Sequence, residues 1–146
     1  MKFLAWTIAL NLLLAAVPLA AHHAFAAEFD VNSPVKVKGT VTKVEWVNPH
    51  AWLYVDVKDE GGKVVNWHFE LGPPNALFRL GWKKDSIPAG TEVSISGFRA
   101  KAQEAVANGR SIILPDGKEL FSGGSGPGSE GASKSSEGAS KQGEGK

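Results

Sequence analysis

The stretch from His50 to Leu71, HAWLYVDVKDEGGKVVNWHFEL, constrains the fold more than any other part of the sequence. Apolar and polar residues alternate on both sides of a Gly-Gly pair, which is typical of two antiparallel strands with one buried face. A three-residue loop at 60–62 gives a register whose apolar pairs are Val57–Val65, Val55–Trp67 and Leu53–Phe69. A shift by one residue would mix the two faces, so the sequence predicts a β-hairpin in this register.

The opposite face of the same hairpin carries the candidate ligand-binding residues. In this register its pairs are Trp52–Glu70, Tyr54–His68 and Asp56–Asn66. Exposed aromatic side chains favour a cover, which can be a glycan, a partner protein or the N-terminal segment with its two phenylalanines. We therefore take Trp52, Tyr54, His68 and Glu70 as candidate ligand-binding residues.

The segments around the hairpin predict a small, mainly β domain over residues 22–121. Residues 34–48 read as a long bent strand whose alternation slips by one before Val44, which indicates a β-bulge. PPNALFRLG predicts a short helix, and two further strands and a short KELF return follow. This order predicts a five-stranded OB-like β-barrel with one short helix between strands 3 and 4. Trp46 and Trp67 fall on the apolar face and are expected in the core.

The two ends of the chain differ from this domain. Residues 1–21 have a basic start, an apolar stretch and a small-residue exit, which predicts a signal peptide rather than a membrane anchor. We expect a periplasmic or secreted protein that is not an integral membrane protein after cleavage. Cleavage after Ala21 is favoured, and cleavage after Ala26 is the alternative. Residues 122–146, rich in Gly, Ser, Lys and Glu, predict a disordered tail.

Composition excludes several classes of site. The chain has no cysteine, so it has neither disulfides nor thiolate metal ligands. Its 16 basic and 15 acidic residues nearly cancel, which disfavours a nucleic-acid partner. It carries no Gly-x-Ser-x-Gly, phosphate loop or closed zinc motif, so we expect a protein that is not an enzyme.

The adjacent histidines after the apolar stretch suggest a metal site. Cleavage after Ala21 would leave His22 as the first residue, and its α-amine and imidazole Nδ1 would form a chelating pair of nitrogens. A third nitrogen would complete a planar site suited to Cu(II). His50, behind Pro49, is the best candidate for this third ligand, and His23 is a substitute. A purely structural role for the histidines is the alternative.

The motifs HHAFAAEFD, KGTVTKVEWVNPHAW and NWHFELGPPNALFRLGW resemble those of a DUF6152-like family of small secreted bacterial proteins of unknown function. The chain departs from the family pattern at Ala24, where Ser is usual, and at His68, where Ala is frequent. The resemblance implies export and a shared fold, and it implies no activity. We thus expect a binding or accessory module that binds Cu(II). The alternative is a metal-free module that binds a protein or glycan on the Trp/Tyr face of strands 2 and 3.

Overall fold

The computed structural model describes residues 25–124. After a helical turn at residues 25–28, these residues form six strands and one helix. The strands are β1 (Phe29–Glu45), β2 (Trp52–Lys58), β3 (Val64–Glu70), β4 (Glu92–Ala100), β5 (Val106–Ile113) and β6 (Glu119–Phe121). The helix, α1 (Pro74–Arg79), lies between β3 and β4. The predicted signal peptide, His22, His23 and residues 125–146 of the predicted tail lie outside the described residues.

The strands form one sheet in the order β3-β2-β1-β4-β5-β6. An additional parallel pairing joins β3 to β5, so the pairings among β1 to β5 form a closed circuit. The predicted mainly β class and the short helix between strands 3 and 4 are confirmed. The prediction counted five strands, whereas the return segment forms a sixth because its backbone pairs with β5 from Ser111–Phe121 to Ile113–Glu119.

The predicted hairpin register is confirmed at every pair from Trp52–Glu70 to Val57–Val65. Asp59 fixes the loop, because its Oδ1 accepts hydrogen bonds from the backbone N–H groups of Gly61 and Lys63 at 2.9 and 2.8 Å. Gly62 has a φ of +80°, a conformation that glycine adopts without the steric cost of a Cβ. The turn chemistry and the apolar pattern therefore select the same register.

The long strand β1 serves two neighbours. Its N-terminal part pairs with β4 and its C-terminal part with β2, and the register of the second pairing shifts between Val41 and Lys43. This shift confirms the predicted bulge. At Gly39 a Cβ would meet the carbonyl oxygen of Asp56 and lie 2.8 Å from Val55 Cγ1, so only glycine allows this approach of the backbones.

The core lies on the inward face of the strands. Its largest fully buried members include Phe69, Leu53, Leu71, Leu77 and Ile95. Trp67 joins the core as predicted, and Trp46 is half-buried at its edge, stacked on Phe78 with ring centroids 5.0 Å apart. Trp82 is buried, and its Nε1–H donates to the Phe121 carbonyl at 2.9 Å. The last strand is thereby tied to the segment after α1.

None of the helices within residues 25–124 has the length and apolar character needed to cross a membrane.

Candidate functional site

The β2–β3 ladder continues beyond its last strand pair and places His50 next to Glu70. The Ala51 N–H donates to the Gly72 carbonyl at 3.1 Å, and the Leu71 N–H donates to the Ala51 carbonyl at 2.8 Å. His50 precedes this paired residue and follows the cis Asn48–Pro49 bond. Since alternate residues of a strand share a face, His50 lies on the same outward face as Trp52.

His50 and Glu70 form an ion-pair contact, with Nδ1 2.7 Å from Oε1. The His50 side chain is 35% exposed and that of Glu70 is 9% exposed, so the carboxylate is the inner member of the pair. Burial raises the pKa of the Glu70 carboxyl above its ordinary value of 4.5, the charge of His50 opposes this rise, and the charge of Glu28 adds to it. The protein thus holds a buried carboxyl at the base of a partly exposed imidazole.

This contact determines which imidazole nitrogen is open to a ligand. An ionised Glu70 accepts the Nδ1–H of a neutral His50, and the lone pair of that imidazole is then on Nε2. A carboxylate that orients a histidine in this way is the usual partner of a metal-binding histidine. The pair can therefore present one oriented nitrogen ligand.

Glu70 and Trp52 also line a cavity of about 370 Å³. The other walls come from the described beginning of the chain and from the segment between β4 and β5. The lining residues are Ala27, Glu28, Phe29, Trp52, Glu70, Ala100, Ala102, Gln103 and Val106. The beginning of the domain and the hairpin therefore meet at Glu70.

Tyr54 and His68, the other half of the predicted ligand-binding face, form a separate cluster. Their rings meet edge to face with centroids 4.6 Å apart. The Tyr54 hydroxyl donates to Glu45 Oε2 at 2.7 Å, and Lys43 Nζ lies 4.2 Å from the Tyr54 ring centroid. Lys43 also pairs with Glu45 at 2.6 Å. The four predicted residues thus divide into a cavity pair, Trp52 and Glu70, and a second pair in which the Tyr54 hydroxyl bonds to Glu45 and the His68 ring packs on Tyr54.

The cavity residues from outside the hairpin were not predicted from the sequence. Glu28 and Phe29 precede the strand predicted over residues 34–48, and Gln103 lies in a polar connection with no pattern. Lys43 and Glu45 could have been found, since they alternate on the outward side of β1 after the bulge. Their positions opposite Tyr54 and Trp52 follow from that register.

The predicted metal ligands are divided between described and undescribed parts of the chain. His50 is described, whereas His22 and His23 lie outside. Within residues 25–124, no three His, Asp or Glu side chains are grouped closely enough to hold a metal ion. A metal bound through His50 therefore needs a ligand from another part of the chain or from another molecule.

These features define a class of small, mainly β domain with a histidine–carboxylate pair beside a cavity on the outward face of one hairpin. The chain belongs to a family of unknown function, DUF6152, whose match covers residues 9–109. This match confirms the family resemblance of the sequence motifs. A search of curated proteins found no match.

Proposed function

We propose that the protein is an exported, non-enzymatic binding module that binds Cu(II) through His22 and His50, with His23 as the substitute ligand. The circuit of pairings from β1 to β5 supports an OB-like barrel as its scaffold, since a sheet whose first and last strands pair has no open edge between them. The observation that carries the metal proposal is the 2.7 Å contact between His50 Nδ1 and Glu70 Oε1.

The contact supports metal binding because it fixes both the tautomer and the orientation of the imidazole. A histidine with no role beyond the surface would need no buried carboxylate beside it. Burying a carboxylate has a cost, and the raised pKa of Glu70, whose largest cause is burial, reflects that cost. An oriented Nε2 is instead what a first-row transition metal requires of a histidine ligand.

The described beginning of the chain supports a role for His22. Ala27 lines the same cavity as Glu70, and only two residues separate His22 from Phe25 at the start of the described chain, a distance of up to about 10 Å when extended. Phe25 is 5% exposed, with its ring centroid 5.4 Å from that of Phe29 and 6.1 Å from that of Phe98. Cleavage after Ala26 would remove this buried ring. We therefore propose cleavage after Ala21, which retains it and leaves His22 first.

The metal-free alternative receives less support. Protein or glycan binding on the Trp/Tyr face would have to displace Glu45 and Lys43 from Tyr54, which holds both. The nearly balanced charge of the chain again disfavours nucleic acid. Trp52 remains available, and it belongs to the cavity rather than to a continuous aromatic surface.

Copper titration of the exported, processed protein tests the proposal. We expect one equivalent of Cu(II) to bind, with nitrogen hyperfine structure in the electron paramagnetic resonance spectrum. The His50→Gln variant keeps an amide N–H that can donate to Glu70, and it should bind at least about tenfold more weakly. Glu70→Gln should weaken binding by about ten- to a hundredfold, because the imidazole loses its orienting carboxylate.

His68→Gln is the matched control, since it changes the other described histidine, and copper affinity should not change. A chain with an additional Met before His22 should lose the α-amine ligand and most of its affinity. Equal copper affinity in the wild type and in His50→Gln, with both folded by circular dichroism, would refute the proposed site. Mass spectrometry that places the mature N-terminus at Ala27 would refute the role of His22.

A further inference from the structure

The cavity beside Glu70 has the size and lining of a small-molecule site. Its volume of about 370 Å³ lies at the lower end of the range for such sites, about 300–1,000 Å³. Phe29, Val106 and three alanines give it apolar walls, and Glu28 and Glu70 supply two carboxyl groups. No Lys or Arg belongs to its described lining. The lining therefore combines apolar surface with two acidic side chains and contains no basic residue.

The aromatic wall distinguishes this site from a simple acidic patch. Within residues 25–124, Lys43 lies over the Tyr54 ring and Arg99 lies over the Trp67 ring, at 4.2 and 4.9 Å from the centroids. None of the described cations lies over Trp52. This half-buried indole, opposite Glu70 in the hairpin register, thus offers a ring face to a cation from outside the protein.

Lys101, the residue after β4, has other partners. Lys101 Nζ donates to the Ala26 carbonyl at 2.6 Å, and its backbone N–H donates to the Glu28 carbonyl at 2.9 Å. These bonds hold the beginning of the domain against the end of β4 and so position Glu28 at the cavity. Lys101 itself does not line the cavity.

The segment that closes the other side of the cavity holds a constrained backbone. Ala105 has a φ of +52°, which is costly for a residue with a Cβ, and its carbonyl accepts a hydrogen bond from the His68 N–H at 2.9 Å. This bond ties the segment that carries Ala102 and Gln103 to β3. Strained backbone of this kind concentrates at ligand sites because the surrounding structure must maintain it.

We propose that this cavity binds a small organic ammonium compound, with its cationic group between the Trp52 indole and the carboxylates of Glu28 and Glu70. The apolar walls then cover the alkyl substituents. An inorganic cation would leave these walls empty, and a neutral molecule would bring no positive charge to the two carboxylates, of which that of Glu70 already contacts His50. This site shares Glu70 with the proposed copper site, but its ligand needs neither His22 nor His50.

Calorimetric titration of the metal-free, full-length processed protein with choline tests the proposal. The neutral isostere 3,3-dimethylbutan-1-ol has the same shape without the charge, and ethanolamine has a primary ammonium group instead. We expect binding of choline or ethanolamine and at least about tenfold weaker binding of the neutral alcohol. Equal affinity for choline and the alcohol would overturn the proposal, and so would no heat with either ammonium compound.

Variants locate the site. Trp52→Leu and Glu28→Gln should each weaken ammonium binding several-fold to about tenfold. Phe78→Leu removes a partly exposed aromatic ring elsewhere, and Glu92→Gln removes an exposed carboxylate, so neither control should change the affinity. Unchanged affinity in a folded Trp52→Leu variant would show that the ligand binds elsewhere. His50→Gln should retain ammonium binding, which separates this result from that of the copper titration.

Discussion

At the scale of single residues, the buried carboxyl of Glu70 links the hairpin to His50 and to the beginning of the domain. Alternation along two strands placed Trp52 and Glu70 opposite each other, and the structure confirms this pair. The contact of Glu70 with His50 is diagonal across the two strands and depends on how far the ladder extends beyond Trp52. The role of Glu28 depends on a fold-back that no local pattern encodes. Local periodicity therefore predicted the strand face on which each side chain lies, whereas long-range packing determined which residues it contacts.

The buried carboxyl of Glu70 should give the protein a specific dependence of stability on pH. Because burial raises its folded pKa above 4.5, the unfolded state releases this proton first as the pH rises. This contribution to stability is complete below pH 4.5 and is lost as the pH passes through the raised value. We expect the free energy of unfolding of the wild type, relative to Glu70→Gln, to fall as the pH rises above 4.5 and through the raised pKa. Urea denaturation at a series of pH values measures the difference.

The comparison with Glu70→Gln cancels the pH-dependent contributions of the other carboxyl groups whose pKa values are shifted. Asp30 and Glu45 have lowered pKa values, from the backbone hydrogen bond of Asn32 and the side-chain hydrogen bond of Lys43 respectively, so their contributions grow as the pH rises. Both residues are present in both proteins. A constant difference across this pH range would contradict a raised pKa at Glu70.

Phe25 should contribute to stability although it lies at the beginning of the described chain. Its ring is 5% exposed and packs on Phe29 and Phe98. We expect Phe25→Ala to lower the free energy of unfolding by about 1.5–3 kcal/mol, the value of burying a large apolar side chain. Val31→Ala is the control, because Val31 is 44% exposed. A loss at Phe25 no greater than at Val31 would show that the domain begins later.

At the scale of secondary-structure elements, turn chemistry and periodicity were sufficient to predict an element wherever the two agreed. The hairpin, the bulge in β1 and the short helix α1 each had a local cause in the sequence. The beginning of β1 was predicted at Pro34, whereas the strand begins at Phe29 with an irregularity before Pro34. Residues 29–33, FDVNS, are a short run with two apolar residues before Pro34, and their strand conformation depends on pairing with the end of β4.

The bend of β1 over β2 should make Gly39 sensitive to substitution. A methyl group at this position meets the backbone of Asp56 and the side chain of Val55. We expect Gly39→Ala to destabilise the protein by about 1–3 kcal/mol, because the backbones must separate. Gly61→Ala is the matched control, with no atom closer than 3.4 Å to the added methyl, and its stability should be unchanged or slightly raised. Equal effects in thermal unfolding would indicate that β1 accommodates the methyl by moving.

At the scale of the whole molecule, the order of elements predicted the mainly β class of fold. It did not count the KELF return as a strand, whereas this segment forms β6. The KELF segment is short, and although it pairs with β5 across a tight turn, its hydrogen bond with the Trp82 indole comes from a distant part of the chain. Ser122, assigned by composition to the tail, is 1% exposed and donates to the Gly109 carbonyl. Composition cannot reveal that a small polar residue is covered by other parts of the fold.

Two truncations should separate the domain from the segment that follows it. A chain that ends at Gly124 should keep the melting temperature of the full chain, as the composition of the later residues predicts. A chain that ends at Lys118 loses buried Leu120 and the acceptor of the Trp82 indole N–H. We expect this chain to be less stable by at least about 2 kcal/mol. Equal melting temperatures for the two truncations would show that β6 is dispensable.

The parallel pairing of β3 with β5 also determines when the domain can form during synthesis. The pairing joins residues 68–70 of β3 to residues 106–108 of β5. The helix α1 and the strand β4 separate these two segments in the chain. A chain still in synthesis, from which β5 has not yet emerged, cannot make these contacts, and loop closure over such a separation is slow. The backbone edge of β3 therefore stays without its parallel neighbour until β5 emerges.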